Sequence, residues 1–170
     1  MNHTLKLLTL APAVLQVRTA EEAERAAARG CEAVEVDVSA GVAELRETVA
    51  RLGLELTVGA GGVLSSERAF EAVDAGAKFI ATPAPDPAVF RTCAPLDVPV
   101  IGEALTPTEL RAMAALGAQM VRLFPGCAVD ARYLAALLPL SAVPLAVACA
   151  TAEEGVPLRE AGAAALFLPA

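Results

Sequence analysis

The chain has one histidine, two lysines, one tyrosine and no tryptophan in 170 residues. Each shortage closes off a class of chemistry. A Ser-His-Asp or Cys-His mechanism needs an imidazole beside its nucleophile, and the single histidine, His3, stands far from every polar cluster in the sequence. The four cysteines, Cys31, Cys93, Cys127 and Cys149, show no Cys-x-x-Cys spacing and no matching histidines. Zinc and a disulfide framework are therefore not expected. No basic run is present and the formal net charge is −7, which argues against nucleic acid and anionic membranes as partners. With 56% hydrophobic residues and so few aromatics, the core must be built of alanine, leucine and valine.

The opening Met-Asn-His-Thr-Leu-Lys lacks a strongly basic segment and a cleavage site, so a cytoplasmic protein is expected. The longest uncharged run, Tyr133–Ala152, has the length of a membrane span, but Pro139 and Pro144 interrupt it. A short helix, a turn and a buried strand are expected there. The length of 170 residues suits one domain, residues 1–170, with a sizeable core.

What is present is a repeat. Gly30, Gly76, Gly117 and Gly162 each end a helical pattern and precede an apolar run, at separations of 46, 41 and 45 residues. That period suits two βα units, with glycine as the left-handed helix end. Filling in the runs between them predicts eight strands: Ala13–Val17, Ala33–Val38, Leu54–Val58, Phe79–Thr82, Val98–Glu103, Met120–Phe124, Pro144–Ala148 and Ala164–Leu168. Helical patterns separate them, among them Ala20–Arg29 behind Thr19 and Thr108–Leu116 behind Thr106-Pro107. The alternation predicts an α/β fold, a compact (β/α)8 TIM barrel without its last helix; a doubly wound open sheet is the alternative. Barrels of this kind usually run to about 250 residues, so loops must be short. The missing helix predicts apolar surface beside the first and last strands, for a partner subunit to cover.

Chemistry in such a barrel sits at the carboxyl ends of the strands. Those ends offer Gln16, Arg18, Glu35, Asp37, Ser39, Thr57, Gly59–Gly62, Thr82, Glu103, Arg122, Cys149 and Thr151. The decisive stretch is Met120–Pro125. Alternation puts Met120, Arg122 and Phe124 on one face and Val121 and Leu123 on the other. A guanidinium inside an apolar strand is costly unless paired. Arg122 is either one half of an internal ion pair, with Glu35 or Asp37 as natural partner, or the anion-binding group of a pocket. Glu35 and Asp37 share a face, and two carboxylates in one cavity could make one of them a general acid. Asp37 solvated at the rim, Gly59–Gly62 as a plain turn, and Thr82 and Thr151 as helix caps are the plainer readings of the same residues.

With these residues in place, the chain resembles the bacterial 2-keto-3-deoxy-6-phosphogluconate/4-hydroxy-2-oxoglutarate (KDPG/KHG) aldolases. The likeness runs from about Ala11 to Leu168. It rests on Val34-Glu35-Val36, Val58-Gly59-Ala60-Gly61-Gly62-Val63-Leu64, Ala75–Pro83, Thr106-Pro107-Thr108-Glu109-Leu110 and Leu123-Phe124-Pro125, in that order. The resemblance implies a (β/α)8 homotrimer that cleaves 2-keto acids to pyruvate and an aldehyde through a lysine Schiff base, with no cofactor. It implies Glu35 as general acid/base, Phe124 as the aromatic beside the Schiff base, and Gly61, Gly62, Pro83 and Thr151 as substrate-binding positions. The departures cluster in the chemistry. The Schiff-base lysine of the family's Lys-x-Phe-Pro is Arg122, and the arginine expected four residues after the glutamate is Ser39. Gly62 stands for a threonine, Gly102-Glu103 for Pro-Gly, and Ala152-Glu153 for the phosphate-holding glycine pair; the second phosphate loop is reduced to Pro169-Ala170.

Arginine stays protonated and its guanidinium is a poor nucleophile, whereas a Schiff base needs a neutral amine. Lys78 precedes the fourth strand and Lys6 the first, so neither is placed to substitute. The expectation is a degenerate aldolase relative without Schiff-base lyase activity, binding a small carboxylate or 2-keto acid through Arg122 or serving only assembly. The alternative is a working lyase on a small unphosphorylated 2-keto acid, with Glu35, Asp37 and Glu103 holding a metal ion. An unrelated reaction on the same barrel is a third reading.

Overall fold

A computed structural model of the chain describes residues 2–170. In chain order the elements are α1 (His3–Leu10), β1 (Val14–Val17), α2 (Ala20–Ala28), β2 (Ala33–Asp37), α3 (Ala43–Leu52), β3 (Thr57–Gly61), α4 (Ser66–Asp74) and β4 (Ile80–Thr82). They continue with α5 (Pro87–Cys93), β5 (Val100–Ala104), α6 (Pro107–Leu116), β6 (Met120–Leu123), α7 (Ala131–Leu137), β7 (Leu145–Ala148), α8 (Ala152–Glu160) and β8 (Ala165–Pro169). The eight strands are parallel and close into a barrel in sequence order, β8 pairing with β1. The open sheet is thereby excluded.

The repeat of glycines has the predicted physical basis. Gly30, Gly76, Gly117 and Gly162 have φ of +83°, +100°, +101° and +111°, a region that side chains other than glycine rarely adopt. They end α2, α4, α6 and α8, each time turning the chain into the next strand.

Strand alternation sorts the apolar residues into two shells. Val34, Val36, Val58, Val121, Leu123 and Val147 point outward and pack under the helices. Val14, Ala33, Phe79, Ala81, Ile101, Met120, Ala146, Ala165 and Phe167 fill the barrel interior. The inner set is mostly small, so two phenylalanines supply much of its volume. Gly59 makes room for one of them: a Cβ there would lie 2.2 Å from the Phe79 ring.

Two features depart from expectation. Helix α1 has no counterpart in the sequence reading. Asn2 caps it by accepting from the Thr4 N–H, and Leu5 and Leu8 reach into the inner shell, so α1 closes the floor of the barrel. The second departure concerns β8. No helix follows it among the described residues, yet no broad apolar strip is bare beside it: Leu166 is 5% and Leu168 8% exposed, and Leu15 is half-buried. Helix α8 leans in at Gly155, where a Cβ would meet Leu166 Cδ1 at 2.5 Å. Large exposed apolar side chains also lie elsewhere, with Phe70 on α4 and Leu64 just before it, 61% and 60% exposed.

Helix α8 begins at Ala152, because Thr151 caps it and Glu153 and Glu154 suit its first turn. The uncharged run resolves into α7, a 3-10 turn at Leu138–Leu140 and β7. No helix among the described residues is long and apolar enough to cross a membrane.

Candidate active site

Arg122 lies on the inner face of β6, as the alternation requires, and is 3% exposed. Its Nη1 donates to both Glu35 oxygens at 2.8 Å, reaching across the barrel to β2. Its Nη2 donates to Glu103 Oε1 on the adjacent strand β5, where Glu103 and Arg122 are register partners. The guanidinium also sits over the Phe167 ring, 4.6 Å from its centre. Nε is buried and without a protein partner. Burial by itself lowers the Arg122 pKa; the charges of Glu35 and Glu103 and their hydrogen bonds outweigh it, and the group is held above its ordinary value.

Glu35 is 4% exposed and is held from two further sides. Gln16 on β1, its register partner, donates Nε2–H to Oε1 at 2.9 Å. Gly61 on β3 leaves space for the carboxylate, since a Cβ there would lie 2.4 Å from Glu35 Oε1. This use of Gly61 is steric and has no sequence signal short of knowing the register.

Above this cluster opens a cavity of about 600 Å³. Of the predicted site residues, Glu35, Gly61, Gly62, Pro83, Arg122 and Phe124 all line it, together with Gln16 and Glu103. Gly62 has φ +71° and forms a left-handed turn beside Asp37. Asp37 takes the plainer reading: it is exposed and accepts the Ser39 N–H at 2.9 Å, so it is not the partner of Arg122. Thr151 also takes it. Its hydroxyl accepts the Glu154 N–H at 3.3 Å as the cap of α8, and it is not among the residues that line the cavity. Thr82 closes a local turn with Ala84.

Residues 2–143 match the family model for KDPG and KHG aldolases. The protein belongs to the KDPG/KHG aldolase family.

Solved structures agree on the barrel. A 4-hydroxy-2-oxoglutarate/2-dehydro-3-deoxyphosphogluconate aldolase is 26% identical with a TM-score of 0.78, over 97% of this chain and 87% of that one. A KDPG aldolase from Legionella pneumophila, captured with pyruvate as a covalent carbinolamine, is 19% identical with a TM-score of 0.78, over 98% and 86%. A designed cube-shaped cage made by fusing symmetric oligomeric domains is 27% identical with a TM-score of 0.77, over 92% of this chain. The chain spans 62% of that fusion. No curated protein sequence matches at a significant level.

Within this KDPG/KHG aldolase barrel the charges set what the cavity can do. Two carboxylates, Glu35 and Glu103, share one guanidinium, so the inner cluster carries one net negative charge. Both terminal nitrogens of Arg122 are already committed, and the anion-binding guanidinium of the sharper expectation is not free. Glu35 accepts from Nη1 on both oxygens, so both are already engaged. Glu35, Asp37 and Glu103 do not converge: among the described residues no three His, Cys, Asp or Glu side chains are placed to hold a metal ion. Lys78 and Lys6 are exposed, Lys6 on α1 at the floor and Lys78 just before β4. The sequence reading took Glu103 only as an oxygen ligand; its adjacency to Arg122 at the ends of neighbouring strands was the available signal for the second ion pair.

Proposed function

We propose that this family member does not run the Schiff-base retro-aldol reaction. The observation that carries the proposal is the state of Arg122: a guanidinium at the amine position, locked between Glu35 and Glu103. Nucleophilic attack on a ketone needs a neutral amine, and neither Lys6 nor Lys78 faces the cavity. The same geometry favours a structural role for Arg122 over carboxylate binding. A pyruvate carboxylate would have to displace a buried glutamate and would meet a cluster that is already net negative. Trimeric assembly, implied by the resemblance, and a cytoplasmic location belong to this proposal; exposed Leu64 and Phe70 support self-assembly.

The test is trapping. Wild type and Arg122→Lys are incubated with pyruvate and borohydride and weighed by mass spectrometry. The expected result is no adduct on the wild type and one pyruvate adduct on Arg122→Lys, because the cavity with Glu35, Pro83 and Phe124 persists. An adduct on the wild type would overturn the proposal. No adduct on either would mean the cavity does not admit pyruvate even with an amine present, and would leave assembly as the role.

A further inference from the structure

Two of the four cysteines line a second cavity, away from the barrel axis. This space of about 440 Å³ lies between the loop after β6 and the start of α8, and both Cys127 and Cys149 line it. The backbone holds the two segments in contact. A Cβ on Gly126 would lie 1.5 Å from the Ala148 carbonyl oxygen, so the residue before Cys127 sits directly on the residue before Cys149. Cys149 is anchored at the end of β7 by its N–H bond to the Phe167 carbonyl at 2.9 Å. Cys127 is exposed and stands on a short 3-10 turn, Gly126–Ala128. Only glycine allows this approach, and its result is that the segments carrying Cys127 and Cys149 border one cavity.

We propose that Cys127 and Cys149 are a dithiol modification site that reacts with low-molecular-weight disulfides and closes to an intramolecular disulfide. A bridge needs Cα atoms within about 7 Å, and the exposed turn carrying Cys127 supplies the adjustment. The exposed Cys127 thiolate attacks one sulfur of the disulfide RSSR, forming a mixed disulfide and expelling one RS⁻. Cys149 then attacks the Cys127 sulfur, forming the protein disulfide and expelling the second RS⁻. The two thiol protons pass to the two leaving thiolates; the protein loses two electrons and RSSR gains them. Burial and the nearby Glu154 raise the Cys149 thiol, which makes it the resolving partner and Cys127 the attacking one. The other two cysteines are poorly placed. Cys93 is buried on α5 with its thiol pushed up to about 11, and Cys31 precedes β2 at the opposite end of the barrel. Closure would tie the loop behind Phe124 to the end of β7, stiffening one rim of the upper cavity.

The full chain, reduced and then equilibrated with glutathione disulfide, is alkylated, digested and mapped by mass spectrometry. The expected result is loss of two of the four free thiols and a linked peptide pair containing Cys127 and Cys149. Cys149→Ser should stop at glutathione on Cys127, and Cys127→Ser should yield no linked peptide. A wild type that stops at the mixed disulfide, links a different pair, or keeps all four thiols overturns the proposal.

Discussion

Replacing Arg122 by leucine tests whether the charge cluster holds the barrel together. The substitution removes the cation that bridges Glu35 and Glu103, which are 4% and 12% exposed in their side chains. Breaking a buried ion pair from one side costs about 3–5 kcal/mol, chiefly because the surviving charge stays buried. Here two carboxylates are left, and Glu35 keeps only the Gln16 amide as a donor. The upper half of that range is therefore expected at neutral pH. For a chain of this size each kcal/mol moves the thermal midpoint by about 2–4 °C, so a fall of roughly 10–20 °C follows. Urea titration should show the same loss as a lower midpoint with unchanged slope. The triple change Arg122→Leu, Glu35→Leu and Glu103→Leu should recover most of the stability, since an apolar replacement of a whole buried ion cluster is often neutral or better. An Arg122→Leu variant as stable as the wild type at pH 7 would refute this account.

Gly61→Ala places a methyl 2.4 Å from Glu35 Oε1; a loss of about 1–3 kcal/mol from overpacking is expected by chemical denaturation. The same change should leave a truncated Glu35→Ala background nearly unaffected, because the clash partner is gone. Glu109 closes a capping box with Thr106 at the start of α6 and is held below the usual carboxylate range by the Leu105 N–H, then by the N–H and hydroxyl of Thr106. A depressed folded pKa stabilises above the unfolded value of about 4.3 and loses its effect as pH falls through the folded one. Glu109→Gln should therefore cost below about 1 kcal/mol at pH 7, solvent screening included. The difference should vanish in strong acid, as a pH series of melting curves would show.

Much of the site was legible before any coordinates. Arg122 had to face inward because Val121 and Leu123 needed the helix-facing side, and a buried guanidinium had to find a carboxylate; Glu35 was named and is the partner. Asp37, named beside it, is not, since its Ser39 turn draws it to the rim. Helix α1 escaped notice because a short segment with Leu5 and Leu8 as its buried pair carries little periodic signal. Thr151 illustrates a different limit. A threonine after a strand can serve a ligand or a helix, and only the place of α8 shows that it serves the helix.

What the sequence alone determined is local or periodic. Alternating apolar faces set eight strands, glycines at a regular spacing set the left-handed helix ends, and the strand-six pattern turned Arg122 inward. What the tertiary structure decided is which side chains meet. Closure of β8 onto β1 brought Gln16, Glu35, Glu103 and Arg122 to one level of the interior from four strands. That meeting depends on strand register, on a glycine leaving room beside Glu35, and on the electrostatic need of each buried charge for a partner. None of these is a property of any single segment.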